Sequence, residues 1–154
     1  MQPSQRKQPR QTRAQNTVSR ILEATALIIE KEGLDAATTN RIAQKAHVNI
    51  SSLYQYFSNR EAIFLAVLQQ HFDAIFIEVD YPTLTRELSV VQAARESVLA
   101  ALRYLRSHSS SLTLLLWSLK QPVLAETNSR VRKRGSEEFR RLLVKNRDMI
   151  TAPD

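Results

Sequence analysis

Two short helical segments, separated only by Ala46-His47-Val48, constrain this chain more than any other feature. Upstream, "TTNRIAQKA" sets Ile42, Ala43 and Ala46 on one short apolar face, with Thr38 available as a cap. Downstream, "NISSLYQYF" pairs Leu53 with Phe57 one turn apart, with Asn49 as the cap. A three-residue connection is the length of a helix-turn-helix corner. The small Ala43 and Ala46 allow close helix approach, and Val48, Leu53 and Phe57 are placed to fill the corner. The second helix then turns Ile50, Ser51, Ser52, Gln55 and Tyr56 to water, with Tyr54 at the edge.

That outward face has the chemistry of nucleic-acid recognition. Serine hydroxyls and glutamine can reach base edges or phosphates, and isoleucine can touch a thymine methyl. Tyrosine hydroxyls can donate to phosphate oxygens while their rings pack on sugars. The competing reading is a plain helical hairpin whose aromatic rings are core.

The rest of the chain also reads as helix. Its 154 residues include only 2 Gly and 5 Pro, few strand-like runs, and 43% apolar residues, enough for a core. Ile21, Leu22, Thr25, Ile28 and Ile29 recur at helical spacing, and Gly33 sits where a left-handed cap is wanted, with Leu34 to pack back. "SNREAIFLAVLQQHFDAIFIEV" predicts a long helix opening with the capping box Ser58-x-x-Glu61. Arg60 lies in its first turn, where the dipole disfavours a cation by about 0.3–1 kcal/mol. A phosphate at that end would resolve the conflict; a solvated arginine would simply tolerate it. Further on, Leu84, Leu88, Val91, Val98, Leu102 and Leu105 suggest one helix seam, interrupted by "SHSSS". "SLTLLLWSLKQ" then predicts a short apolar helix ending before Pro122. "ETNSRVRKRGSEEFRRLLVKNRDMI" predicts a last one.

Charge narrows the partners. The net charge is +7, and residues 1–20 hold Arg6, Lys7, Arg10, Arg13 and Arg20 with no acid. Rich in Gln, they read as a disordered basic arm over residues 1–14 that passes into the first helix. Such an excess suits a polyanion, either nucleic acid or an anionic membrane face. The second basic cluster, "RVRKRGSEEFRR", reads equally well as a solvated face. The absence of Cys excludes disulfides and cysteine metal sites. No apolar run nears ~18 residues, so no membrane-spanning helix is expected. With no apolar signal core, a cytoplasmic protein is expected. There is no Gly-rich phosphate loop, no HExxH and no G-x-S-x-G, so neither enzyme activity, metal nor cofactor is expected.

Residues 17–68, "TVSRILEATALIIEKEGLDAATTNRIAQKAHVNISSLYQYFSNREAIFLAVL", resemble the DNA-binding domain of the tetracycline-repressor (TetR) family. The matching features are the Ile-Leu-x-Ala helix, "EKEGLDAATTNRIAQKA", the turn valine, "SLYQYF" and "SNREAIFLAVL". The resemblance implies an all-α fold: a helix-turn-helix domain over residues 15–80, with the motif near 38–57, joined by a long helix to a helical regulatory and dimerisation domain over 84–154. It implies phosphate contacts from Thr38 and Thr39, and Asn40 near a base edge. Ile50, Ser51, Ser52 and Tyr54 would face the major groove, and Gln55, Tyr56 and Arg60 would hold the DNA backbone. Two positions depart from the family pattern: His47 stands where the turn normally has Gly, in a place that calls for positive φ, and Ile50 replaces a polar or basic residue.

The same resemblance implies a homodimer on a palindromic double-stranded DNA operator, acting as a repressor released by an unknown small-molecule effector. Candidate pocket residues are His71, Phe72, Phe76, Tyr104, Leu115 and Trp117, each also readable as plain core. Family members usually continue through two further helices, so the chain reads as C-terminally short and its dimerisation as weakened. The alternative is a truncated helical interaction module that keeps DNA binding but has lost ligand regulation or stable dimerisation.

Overall fold

The computed structural model describes residues 8–78 and 88–121, together with residues 137, 140 and 144. Six helices and no strand occur among the described residues: α1 (Gln8–Glu32), α2 (Thr39–Lys45), α3 (Ile50–Tyr56), α4 (Arg60–Glu78), α5 (Val90–Ser107) and α6 (Ser109–Leu119). The fold is all-α, as the periodicity predicts. The chain divides into two compact units, Met1–Leu68 and Gln69–Asp154. The division falls inside α4, earlier than the boundary near residues 80–84 that the sequence suggests.

In the first unit, α1 buries Ile21, Ala24, Thr25, Ile28 and Ile29 along one stripe. Thr25 satisfies its buried hydroxyl by donating to the Ile21 carbonyl at 2.7 Å. The helix begins at Gln8, so residues 8–14 are helical where a disordered arm was expected. Arg, Gln and Ala are good helix formers, and Pro9 falls in the first turn, where its missing N–H costs no helical bond. The remaining arm, residues 1–7, lies outside the described residues. Gly33 ends α1 at φ 86, its N–H donating to Ile29 O at 3.0 Å. That is the left-handed cap its position called for.

The corner forms as the sequence predicts. Thr38 caps α2, accepting from Arg41 N at 3.3 Å, and Asn49 caps α3, accepting from Ser51 N at 3.0 Å. Ile42, Ala43 and Ala46 are buried, and Leu53 is 0% exposed. His47 takes φ 51, and no other non-glycine described has positive φ. A left-handed non-glycine residue costs about 1–2 kcal/mol.

Arg60 opens α4, one residue later than the box Ser58-x-x-Glu61 requires, so that box does not form. Asn59 supplies the cap, its Oδ1 accepting from Ala62 N at 2.8 Å. A capping side-chain oxygen reaches the N–H two or three residues on; from Asn59 the bonded residue is Ala62, which carries no acid to bond back. Ile63, Phe64, Val67 and Leu68 then complete the first unit's core.

In the second unit three of the six expected seam residues are turned outward, while Leu88 and Leu105 are half-buried. α5 buries Ala93, Ser97 and Ala100, and leaves Val91, Val98 and Leu102 at 78%, 59% and 55% exposure. α6, packed against α5, buries Ser110, Ser111, Leu114 and Ser118, while Leu112, Leu116 and Leu119 are exposed. Small side chains allow close packing. The buried hydroxyls of Ser97, Ser111 and Ser118 bond carbonyls on the same or the adjoining turn, at 2.7, 2.5 and 2.8 Å. The region of Leu84 lies outside the described residues, as does the predicted last helix except for residues 137, 140 and 144.

The cap assignment makes a simple prediction. Asn59→Ala should destabilise the first unit by about 0.5–2 kcal/mol, whereas Ser58→Ala should change it by less than about 0.5 kcal/mol. Denaturant melts of the two variants check this.

Candidate nucleic-acid interface

The first unit gathers the polar residues of α2 and α3 around the corner. Leu53 points into the core, so Ser51 and Gln55, two residues to either side, lie directly opposite it at 100° per residue. Both are exposed, as are Thr38, Asn40, Tyr54 and Tyr56. Thr39, Ile50, Ser52 and Arg60 are half-buried, so Ile50 and Ser52 flank the open face and are not at its centre.

Several of these groups are already fixed. Thr39 Oγ1 and Tyr54 Oη lie 3.1 Å apart, which ties the start of α2 to the middle of α3 and leaves the tyrosine ring 51% exposed. Ser51 donates its hydroxyl to the capping Asn49 Oδ1 at 3.0 Å, leaving the serine lone pairs to accept. Thr38 Oγ1 serves as a cap acceptor and keeps its own O–H to donate. Arg60 does not stand alone at the α4 start: its Nε lies 3.4 Å from Glu61 Oε1, and its guanidinium sits 5.4 Å from the Phe64 ring centroid. The neighbouring acid and the ring offset the unfavourable dipole locally. Arg41 is engaged elsewhere, in an ion pair with Glu32 that joins α2 to the end of α1.

The electrostatics of the face are one-signed. From Ala36 to Arg60 the chain holds no Asp or Glu, only Arg41, Lys45 and Arg60 among the permanently charged groups. That run is plain in the sequence.

A family model described as bacterial regulatory proteins of the tetR family matches residues 21–67, which span α1, the corner and the start of α4. Over that segment the chain is similar to the tetR family. Among relatives, an uncharacterised HTH-type transcriptional regulator, YvkB of Bacillus subtilis, is 38% identical over 55 residues, covering 36% of this chain and 29% of the relative. The HTH-type transcriptional repressor NicS of Pseudomonas putida is 29% identical over 106 residues, covering 69% of this chain and 50% of the relative. This chain thus spans at most half the length of either relative. A TetR family transcription regulator from Marinobacter aquaeolei VT8 shares the fold with a TM-score of 0.71 at 16% identity, over 90% of this chain and 72% of that one.

The second unit contains a polar cluster of its own. His71 is buried, with Nδ1 2.9 Å from Tyr104 Oη and Nε2 3.2 Å from Ser110 Oγ. Tyr104 stacks on His108, ring centroids 4.1 Å apart. Of the pocket candidates, His71 and Tyr104 meet here; Phe72, Leu115 and Trp117 are half-buried, and the Phe76 side chain lies outside the described residues. Ser110 was not foreseen, because only the pairing of α4 with α6 residues reveals it. Among the described residues no group of His, Cys, Asp and Glu is arranged to hold a metal, and no helix is long and apolar enough to cross a membrane.

The rotation of α3 can be tested by stability alone. Leu53→Ala should cost about 2–5 kcal/mol. Gln55→Ala, on the opposite face, should stay within about 0.5 kcal/mol of the parent. Urea unfolding followed by circular dichroism checks both, and the reverse order would mean a rotated helix.

Proposed function

We propose that this chain is a sequence-specific DNA-binding transcription regulator that presents α3 to the major groove. The observation that carries this reading is the exposed, acid-free polar face of α3, opposite the fully buried Leu53, on a helix-turn-helix corner within the tetR-type segment. Ser51, Ser52 and Ile50 are assigned to base edges, with Asn40 beside them. Thr38, Thr39, Tyr54, Gln55, Tyr56 and Arg60 are assigned to the sugar-phosphate backbone. The Thr39–Tyr54 contact supports this assignment for Tyr54, because it sets the phenol where α2 and α3 converge.

The regulator acts as a homodimer on a palindromic operator, since one corner reads only a few base pairs and paired half-sites lie about 34–36 Å apart. Repression is the sense proposed, following the repressor relative from Pseudomonas. A small-molecule effector meeting the His71–Tyr104–Ser110 cluster would release it. The protein would work in the cytoplasm, where its DNA is.

The test is selection of duplexes from a random pool, followed by anisotropy across a salt series. A palindromic consensus bound as a dimer is the expected result; equal affinity for all duplexes, or for anionic vesicles, would sink the proposal. Ser52→Ala should relax preference at one position by about 1–3 kcal/mol. Deleting residues 1–7, which carry Arg6 and Lys7, should weaken all sequences alike. The log–log salt slope should then fall by about 0.9 for each phosphate left without its cation. A changed consensus at constant affinity would instead make the arm a base reader.

A further inference from the structure

The turn between α2 and α3 is held from outside the motif. Arg20, in α1, directs Nη2 at two successive carbonyls of the turn: it donates to Ala46 O and, at 2.6 Å, to His47 O. Ala46 is the C-cap of α2, so these oxygens sit at the negative end of that helix, where a cation is favoured. The arginine is well anchored, because the next residue, Ile21, is 0% exposed. His47 is the residue that needs holding. It is left-handed without being glycine, and its imidazole is exposed, so side-chain packing does not offset the strain. The two bridged carbonyls flank the bonds that decide the direction in which α3 leaves α2.

We infer that Arg20 is a positioning residue of the DNA interface: by bridging the Ala46 and His47 carbonyls it keeps His47 left-handed and so sets the angle of α3. The inference rests on the DNA-binding reading above. It also assigns Arg20 Nη2 to these carbonyls rather than to a phosphate. Arg20 and His47 then form a coupled pair, in which glycine at 47 would make the arginine dispensable.

A double-mutant cycle on the full chain tests this with Arg20→Gln, His47→Gly and the pair. Binding to the selected duplex is measured across a salt series, and amide exchange is followed at Val48, whose N–H donates to Ala43 O at 3.0 Å across the turn. Arg20→Gln should weaken binding about tenfold or more, the scale of losing a charge-assisted hydrogen bond, with the salt slope unchanged. It should also speed Val48 exchange. In the His47→Gly background both effects should shrink to less than about threefold. Arg20→Lys, which keeps the charge but offers a point donor, should give intermediate values. It also serves as the readable variant if the glutamine form melts. A slope reduced by about 0.9 would make Arg20 a phosphate ligand and overturn the inference. Equal losses in both backgrounds, or no loss at all, would overturn it too. If the parent binds no duplex, the DNA-binding reading fails, and Val48 exchange still decides whether Arg20 holds the turn.

Discussion

The close approach of α2 to α3 is the constraint on which the first unit depends. Ala43 and Ala46 are almost fully buried there, and any larger side chain would push the helices apart. That approach lets one leucine, Leu53, anchor a seven-residue helix. Such a helix would not persist alone in water, since isolated helices shorter than ~12–15 residues are marginal. Everything on the outer face of α3 owes its order to one buried side chain on the inner face, two caps and a braced turn.

Much of this was legible in the sequence because it is local. Thr38 and Asn49 announce their helices, Gly33 its stop, and Leu53 the inner side of α3, whereas Phe57 ends that helix half-buried. The left-handed turn at His47 was implied only by the family resemblance, whose turn has Gly at that place. The α4 cap was misread by one residue because Ser58 and Asn59 are both good caps, and the acid at Glu61 favoured the wrong one. Which side chain reaches an amide depends on backbone direction, which composition does not record.

The second unit was less legible for a different reason. α5 carries two stripes, one of small residues and one of larger aliphatics, and helical period alone does not say which faces in. The larger stripe suggested burial, yet the small one is inside, because Ala93, Ser97 and Ala100 permit closer contact and the serine hydroxyl is satisfied by its own helix. The His71 cluster was half visible. Its members lie 33 and 39 residues apart along the chain, and separations of that size leave no periodic trace. Arg20 shows the converse: a residue counted among the charges of the acid-free stretch 1–20 bonds a turn 26 residues away.

The two contacts of His71 carry a direction as well as a position. A neutral imidazole holds a proton on only one ring nitrogen, so it donates on one side and accepts on the other. Tyrosine and serine hydroxyls can in general do either. If Tyr104 gives its proton to Nδ1, then Nε2 must give to Ser110; if Tyr104 accepts, Ser110 must donate. With the ring neutral, the hydroxyls on α5 and α6 would take opposite senses through it. Reversing the polarity at one end obliges the other to reverse, with neither helix having to move.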